Sequence, residues 1–187
     1  RRMRYVRTAP MENASIIRIS DDGTSYRIIA EKPIRPTSEL PSHLMIHDRM
    51  AAAHRNIKAG IPTHPIELVA MTHHPQFLGK DVLGKILWSM IPETRAFCPK
   101  GLGIIPYACP GSVELAEATA QALDDYDIVM WEKHGAVGIG ENLIEPFDMI
   151  DTLTKSAKIY LSARAMGFTP TGMSDEQMNE LKERFDL

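Results

Sequence analysis

The sequence predicts a single α/β domain over residues 1–187. Short β-branched or apolar runs alternate along it with longer segments whose apolar residues recur every three to four positions, and no internal repeat or low-complexity linker interrupts the alternation. At 187 residues, 44% of them hydrophobic and 24% charged, the chain has enough apolar surface for a real core and is not the composition of a disordered one. A formal charge of -3 leaves no basic excess to hold a phosphate backbone, so nucleic acid is not expected as a partner. Arg1, Arg2, Arg4 and Arg7 form a basic cluster at the start, readable as a solvated terminal segment or as a polyanion site. No apolar run has the length of a membrane span or a secretory h-region. Cys98 and Cys109 are too far apart for a CxxC redox or zinc pair, and a reducing cytoplasm is the expected compartment. Because the first residue is Arg and a strand-like stretch follows almost at once, a part preceding Arg1 is expected.

Residues 15–20 alternate weakly and are β-branched, Asp21-Asp22-Gly23-Thr24 is a turn signal, and residues 25–30 resume a strand, so a hairpin is predicted. Pro33 and Pro36 break the chain, and Thr37 is a plausible N-cap for a helix over 38–54 with Leu40, Leu44 and His47 on one face. Residues 57–61 read as a short strand that Pro62 ends, because proline supplies no N–H to a ladder, and Pro65 starts a helix over 65–72. A second short helix is expected over 81–89, with Val82 and Ile86, and Leu83 and Leu87, as its apolar pairs. The run around Gly101 to Tyr107 is strand-like, and Pro110-Gly111-Ser112 caps a helix over 113–123 whose Ala116, Ala120 and Leu123 can pack closely on a sheet. After a loop at 124–127 come strands at 128–131 and 136–139. Asn142 with Glu145 opens a long helix as a capping box, with Leu143, Phe147, Ile150, Thr154, Ala157 and Leu161 as its buried stripe and Gly167 as its C-cap. Ser174 with Gln177 starts a last short helix.

Three groups of residues could carry chemistry. Glu39, His43, His47 and His54 fall at helical spacing on one face, either as metal donors or as a polar helix surface satisfied by neighbours and water. His64 and His134 each sit on a strand-end corner, the position at which α/β sheets bind ligands, and imidazole is a common donor to a divalent cation. Either could instead be a turn residue without a ligand. A nucleophilic triad from Ser38, His43 and an acid lacks the glycine-flanked serine elbow that would support it.

Pro36-Thr37-Ser38-Glu39-Leu40-Pro41-Ser42-His43, Thr63-His64-Pro65, Pro99-Lys100-Gly101-Leu102-Gly103-Ile104-Ile105-Pro106 and His134-Gly135 occur in the order found in the class II aldolase and adducin-head family, which the whole chain resembles. The resemblance implies a three-layer α/β/α sandwich assembled as a homotetramer, with active sites at subunit boundaries. It implies a phosphorylated ketose as substrate, L-rhamnulose 1-phosphate, cleaved reversibly to dihydroxyacetone phosphate and L-lactaldehyde with zinc rather than a Schiff-base lysine. Glu39 matches the acid/base glutamate, His64 and His134 match two zinc ligands, and Glu93 matches a carboxylate acting in a neighbouring subunit's site. Two departures stand out. The family's strand end is His-x-His, and Pro62 stands where its first His would be; the family's upstream third, with the loops that hold the substrate phosphate, is missing. The rival expectations are an impaired or non-enzymatic adducin-like member, a metal-free small-molecule binding module, and a fuculose-phosphate aldolase or ribulose-phosphate epimerase.

Overall fold

The computed structural model describes residues 14–30 and 33–187, so the basic cluster at Arg1, Arg2, Arg4 and Arg7 lies outside the described residues. The chain divides into two compact units, Arg1–Leu40 and Pro41–Leu187. The first contains the expected hairpin: β1 (Ile17–Ile19) runs antiparallel to β2 (Tyr26–Ile28), with Ile17 opposite Ile28 and Ile19 opposite Tyr26. Asp22 makes the turn by accepting from the Ser20 hydroxyl at 2.6 Å and from the Thr24 N–H at 3.0 Å. Those bonds favour the charged carboxylate and lower its pKa to about 2, the Ser20 hydroxyl contributing most.

The second unit is built on a mixed four-stranded sheet of β3 (Ala59–Thr63), β4 (Gly103–Ile105), β5 (Ile128–Trp131) and β6 (Gly135–Gly140), in the order β3-β6-β5-β4. β3 and β5 each pair antiparallel with β6, whereas β4 runs parallel to β5. Strand alternation sorts side chains to two faces. On one face Val137, Ile139, Val129, Trp131 and Ile105 pack with Ile46 and Met50 of α1 (Leu40–Ala52) and with Leu115 and Leu123 at α5 (Val113–Ala122). On the other, Ile128, Met130 and Ala136 meet Ile150, Leu153 and Tyr160 of α6 (Ile144–Ala165). Leu68 of α2 (Ile66–Met71) and Leu83 and Leu87 of α3 (Val82–Trp88) belong to that same cluster. A short 3-10 turn, Pro75–Phe77, joins α2 to α3. The unit is therefore the expected three-layer α/β/α arrangement.

Several local expectations shift. Pro62 does not end β3, which continues to Thr63 with Pro62 opposite Val137. β3 lies at the sheet edge, where a missing ladder N–H is tolerated. α1 stops at Ala52, short of His54, which has a left-handed φ of 54°, and its buried face is Ser42, Ile46 and Met50 rather than Leu40, Leu44 and His47. α4 (Pro92–Phe97) is a further short helix for which the sequence carried no period. Pro92 opens its first turn, and its buried Thr94 hydroxyl bonds the buried Ser156 hydroxyl of α6 at 2.5 Å. The inward stripe of α6 contains Met149, Ile150, Leu153, Ala157 and Tyr160, leaving Leu143 and Phe147 66% and 50% exposed. Asn142 does receive the N–H groups of Ile144 and Glu145, while Glu145 folds back to the N–H of Glu141. Ser112 caps α5, and the Ser174–Gln177 capping box opens α7 (Asp175–Phe185).

Two substitutions test this packing. Thr94→Val leaves the buried Ser156 hydroxyl without its partner and is expected to cost about 1–3 kcal/mol in urea unfolding, much of it recovered in Thr94→Val/Ser156→Ala. An unchanged midpoint would mean that the hydroxyl pair contributes nothing. At Gly135 a Cβ would collide with the backbone carbonyl of Thr63 on β3, so Gly135→Ala is expected to destabilise by about 1–3 kcal/mol through separation of β3 from β6. A variant as stable as the parent would show that the two strands have room to spare.

Candidate functional site

Two chain corners in the second unit bring His64 and His134 together. β3 delivers the first: Thr63 is its last residue, His64 follows, and Pro65 occupies the N-cap position of α2 in an extended conformation, so the strand-to-helix turn is made in two residues. The second is the tight connection from Trp131 to Gly135 between β5 and β6. Lys133 turns it by adopting a left-handed φ of 59°, and the His134 N–H closes it onto the Trp131 carbonyl at 3.0 Å. A β-carbon at Gly135 would press on the Thr63 carbonyl and come to 3.3 Å from His64 Cδ2, so only glycine lets the two corners approach this closely. The imidazole centroids lie 5.4 Å apart with planes inclined at 46°.

The His134 side is fixed from beneath. Its ring stacks on Trp131 at 4.9 Å and 25°, and Trp131 is itself held, its indole N–H donating to Thr119 Oγ1 at 2.9 Å. The Thr119 hydroxyl donates in turn to the Leu115 carbonyl at 2.6 Å, anchoring the stack to the interior of α5. The Lys133 N–H donates to Thr72 Oγ1 at 2.9 Å, tying the turn to the end of α2. Glu132 accepts from the Tyr107 N–H at 3.0 Å and pairs with Lys133, and these contacts, the Lys133 bond first, hold its pKa below the ordinary carboxylate value. Glu132 is thus an anionic residue beside the corner, fastening it to the segment after β4.

The remaining expected residues are described each within its own unit. Glu39 belongs to the first unit, immediately before α1 begins; its side chain is 8% exposed, its N–H donates to Thr37 Oγ1 at 3.3 Å, and the Ser38 hydroxyl reaches its Oε1 at 3.5 Å. Glu93 is exposed in the first turn of α4, in the helical layer that contains α6 and on the sheet face opposite α1. Gly60 on the α1 face of β3 has His43 above it, at 3.7 Å from where a Cβ would be, whereas His47 is exposed and His54 lies past the end of α1, so the four-residue helical row does not form. Trp131, Thr119, Thr72 and Gly135 were not expected at the site. Gly135 was visible only as the small residue after a histidine, and no sequence signal pointed to the other three.

A catalytic zinc site calls for three protein donors. The described residues contain no group of three or more His, Cys, Asp or Glu arranged to hold a metal ion. The position on β3 that shares the face of His64 is Pro62, which has no donor atom in its side chain. The residues present do not fit a three-ligand zinc centre.

Comparison with known proteins gives this arrangement its family. The model of the class II aldolase and adducin N-terminal domain matches residues 5–161. The rhamnulose-1-phosphate aldolase of Bacteroides thetaiotaomicron is 58% identical over 187 residues, all of this chain and 70% of that protein. That of Escherichia coli O1:K1 is 34% identical over 189 residues, 98% of this chain and 68% of that protein. Among solved structures, a sugar-phosphate aldolase from Thermotoga maritima superposes with a TM-score of 0.69 at 35% identity, over 79% of this chain and 62% of that one. This chain thus spans roughly two thirds of the length of such relatives. With the family model matching most of its length, and with relatives this similar, the chain belongs to the class II aldolase and adducin family.

Proposed function

We propose that this chain carries a retro-aldol site for a phosphorylated ketose, L-rhamnulose 1-phosphate, which it cleaves reversibly to dihydroxyacetone phosphate and L-lactaldehyde. The observation that carries this reading is the 58% identity, across the whole chain, with a protein named rhamnulose-1-phosphate aldolase. Class II aldolases are metal-dependent lyases as a family, and zinc is the ion proposed here because imidazole donors suit it. Held by His64 and His134, such an ion would supply stabilisation of negative charge developing on the substrate. With the donor set one short, what this chain's own residues supply is proton transfer and positioning.

Cleavage starts with loss of the proton from the C4 hydroxyl. The C3–C4 bond then breaks, the aldehyde departs, and the electron pair spreads over C3 and the C2 oxygen until C3 is protonated. A positioned carboxylate can carry the proton in both directions. Glu39 is assigned this role, supported by a side chain that is shielded from bulk water and a backbone held by the Thr37 hydroxyl. Glu93 is assigned to a neighbouring subunit's site, supported by its exposure on the sheet face opposite the imidazole pair. Homotetramer formation is supported by the apolar surface around the start of α6, where Leu143, Ile144 and Phe147 are at least half exposed, as is Phe97 at the end of α4.

A cytoplasmic setting is supported by two free cysteines, of which Cys98 is buried with its thiol pKa raised to about 12, mainly by that burial. Among the described residues no helix is long and apolar enough to cross a membrane. A second reading, a non-catalytic adducin-like member of the family, is favoured by Pro62.

The test is release of dihydroxyacetone phosphate by the chain with zinc supplied in excess. L-rhamnulose 1-phosphate should be cleaved faster than L-fuculose 1-phosphate, and Glu39→Gln should slow cleavage by about 10²–10⁴-fold while leaving zinc binding unchanged. Cleavage of neither ketose would overturn the aldolase reading in favour of the non-catalytic one, and full turnover in Glu39→Gln would assign the proton to another group. Light scattering at micromolar concentration should show an oligomer; a monomer would remove Glu93 from any active site.

A further inference from the structure

The α1 face of β3 presents positions 60 and 62, and His64, the residue after the strand's end, turns its ring to the same side. Gly60 lies beneath His43 of α1. Pro62 is paired with Val137, whose side chain belongs to the α1-side core cluster. His64 meets the ring of His134, which stacks on Trp131 of that same cluster. Pro62 lies two residues before His64, with its side chain on the α1 face of β3. A side chain at position 62 therefore emerges beside His64 on the side where the two imidazoles converge.

We infer that Pro62 occupies the third vertex of a metal site, so that this chain presents an incomplete corner of two imidazoles that holds a divalent cation weakly. The inference deepens the retro-aldol reading and rests on it for the expectation that a metal belongs at this corner. The pyrrolidine ring supplies no lone pair, and the described residues offer no three-donor set in its place. The rest of the corner is built: Gly135 permits the close approach, and Trp131, Thr119 and the Lys133 turn hold His134 in place. What is missing is one donor on a scaffold otherwise formed to carry it. Position 62 is also one where the backbone accepts replacement, because β3 is an edge strand and Pro62 is only partly buried.

The measurement is zinc affinity by competition with a chromogenic chelator, for the purified chain and for Pro62→His, Pro62→Ala and Pro62→His/His64→Ala, with folding of each checked by circular dichroism. Pro62→His should bind zinc more than about 100-fold tighter than the parent, because a direct ligand contributes more than the roughly 10–100-fold associated with a supporting hydrogen-bond partner. Pro62→Ala should match the parent, and the double variant should lose the gain. Equal affinity of the parent and Pro62→His would overturn the inference. So would an equal gain in Pro62→Ala, which would make proline's effect on the strand, rather than the absent donor, responsible. If Pro62→His does not fold, Pro62→Cys offers a smaller donor at the same position and is held to the same outcomes. The readout is independent of turnover: tight zinc binding by Pro62→His with no cleavage of any ketose phosphate, even when the upstream part is also supplied, would sink the aldolase reading and leave this inference standing.

Discussion

The contact on which the second unit depends is the approach of Gly135 to the backbone of Thr63. Two strands remote in sequence, β3 and β6, pair along five residues, from Ala59 opposite Gly140 to Thr63 opposite Ala136. At the Thr63 end the following turn must swing back within van der Waals reach of the β3 carbonyl. A hydrogen in place of a β-carbon is what allows it. The same approach sets the separation of the imidazoles, since His64 directly follows Thr63 and His134 directly precedes Gly135. Sheet closure and site geometry are therefore one constraint. Trp131 extends it inward, because the ring on which His134 stacks is also a buried member of the α1-side core and is hydrogen-bonded to α5.

The two faces of the sheet divide the work. The face toward α1 carries the imidazole corner, and its core of Val129, Val137, Ile139 and Trp131 gives that corner a rigid floor. The face toward α6 is the larger hydrophobic cluster and also supports α4, anchored by the Thr94 and Ser156 hydroxyls. Both hydroxyls are fully buried, so each satisfies the other where water cannot. That pairing fixes the helix from which Glu93 projects. A carboxylate exposed on this layer lies across the sheet from the imidazoles.

What the sequence disclosed follows a physical rule. Elements announced by local chemistry were legible: the Asp21-Asp22-Gly23-Thr24 turn, the Ser112 cap, the Ser174–Gln177 capping box and the fully apolar strand at Ile128–Trp131 form as their residues suggest. Elements decided by tertiary context were not. α4 is six residues long, too short to show a period, and is held by a hydroxyl pair 62 residues apart in sequence. The buried stripe of α6 was placed too far around the helix because Leu143 and Phe147 look like core residues, whereas Pro146 and Met149 face the sheet. At the site, the two histidines were visible as corner residues, but their convergence depends on Gly135 and the β3–β6 register, which no local pattern encodes. Neither does any local pattern identify Trp131 and Thr119 as the support beneath His134.

Pro62 shows why a fold and the chemistry placed on it can separate. In a central strand a proline would remove a ladder bond and the strand would be lost with it. Among the described residues β3 has a neighbour on one side only, so the loss of an N–H there is compatible with the sheet, and β3 keeps its register through Thr63. The core on that face is filled by Val137, Ile139, Ile46 and Met50 rather than by residue 62. A side chain directed at a ligand contributes little to packing, so the residue that matters most to a metal ion can be among those that matter least to stability. The corner can therefore keep its glycine, its stacked imidazole and its turn while presenting one donor fewer, and nothing in the packing of the chain opposes that change.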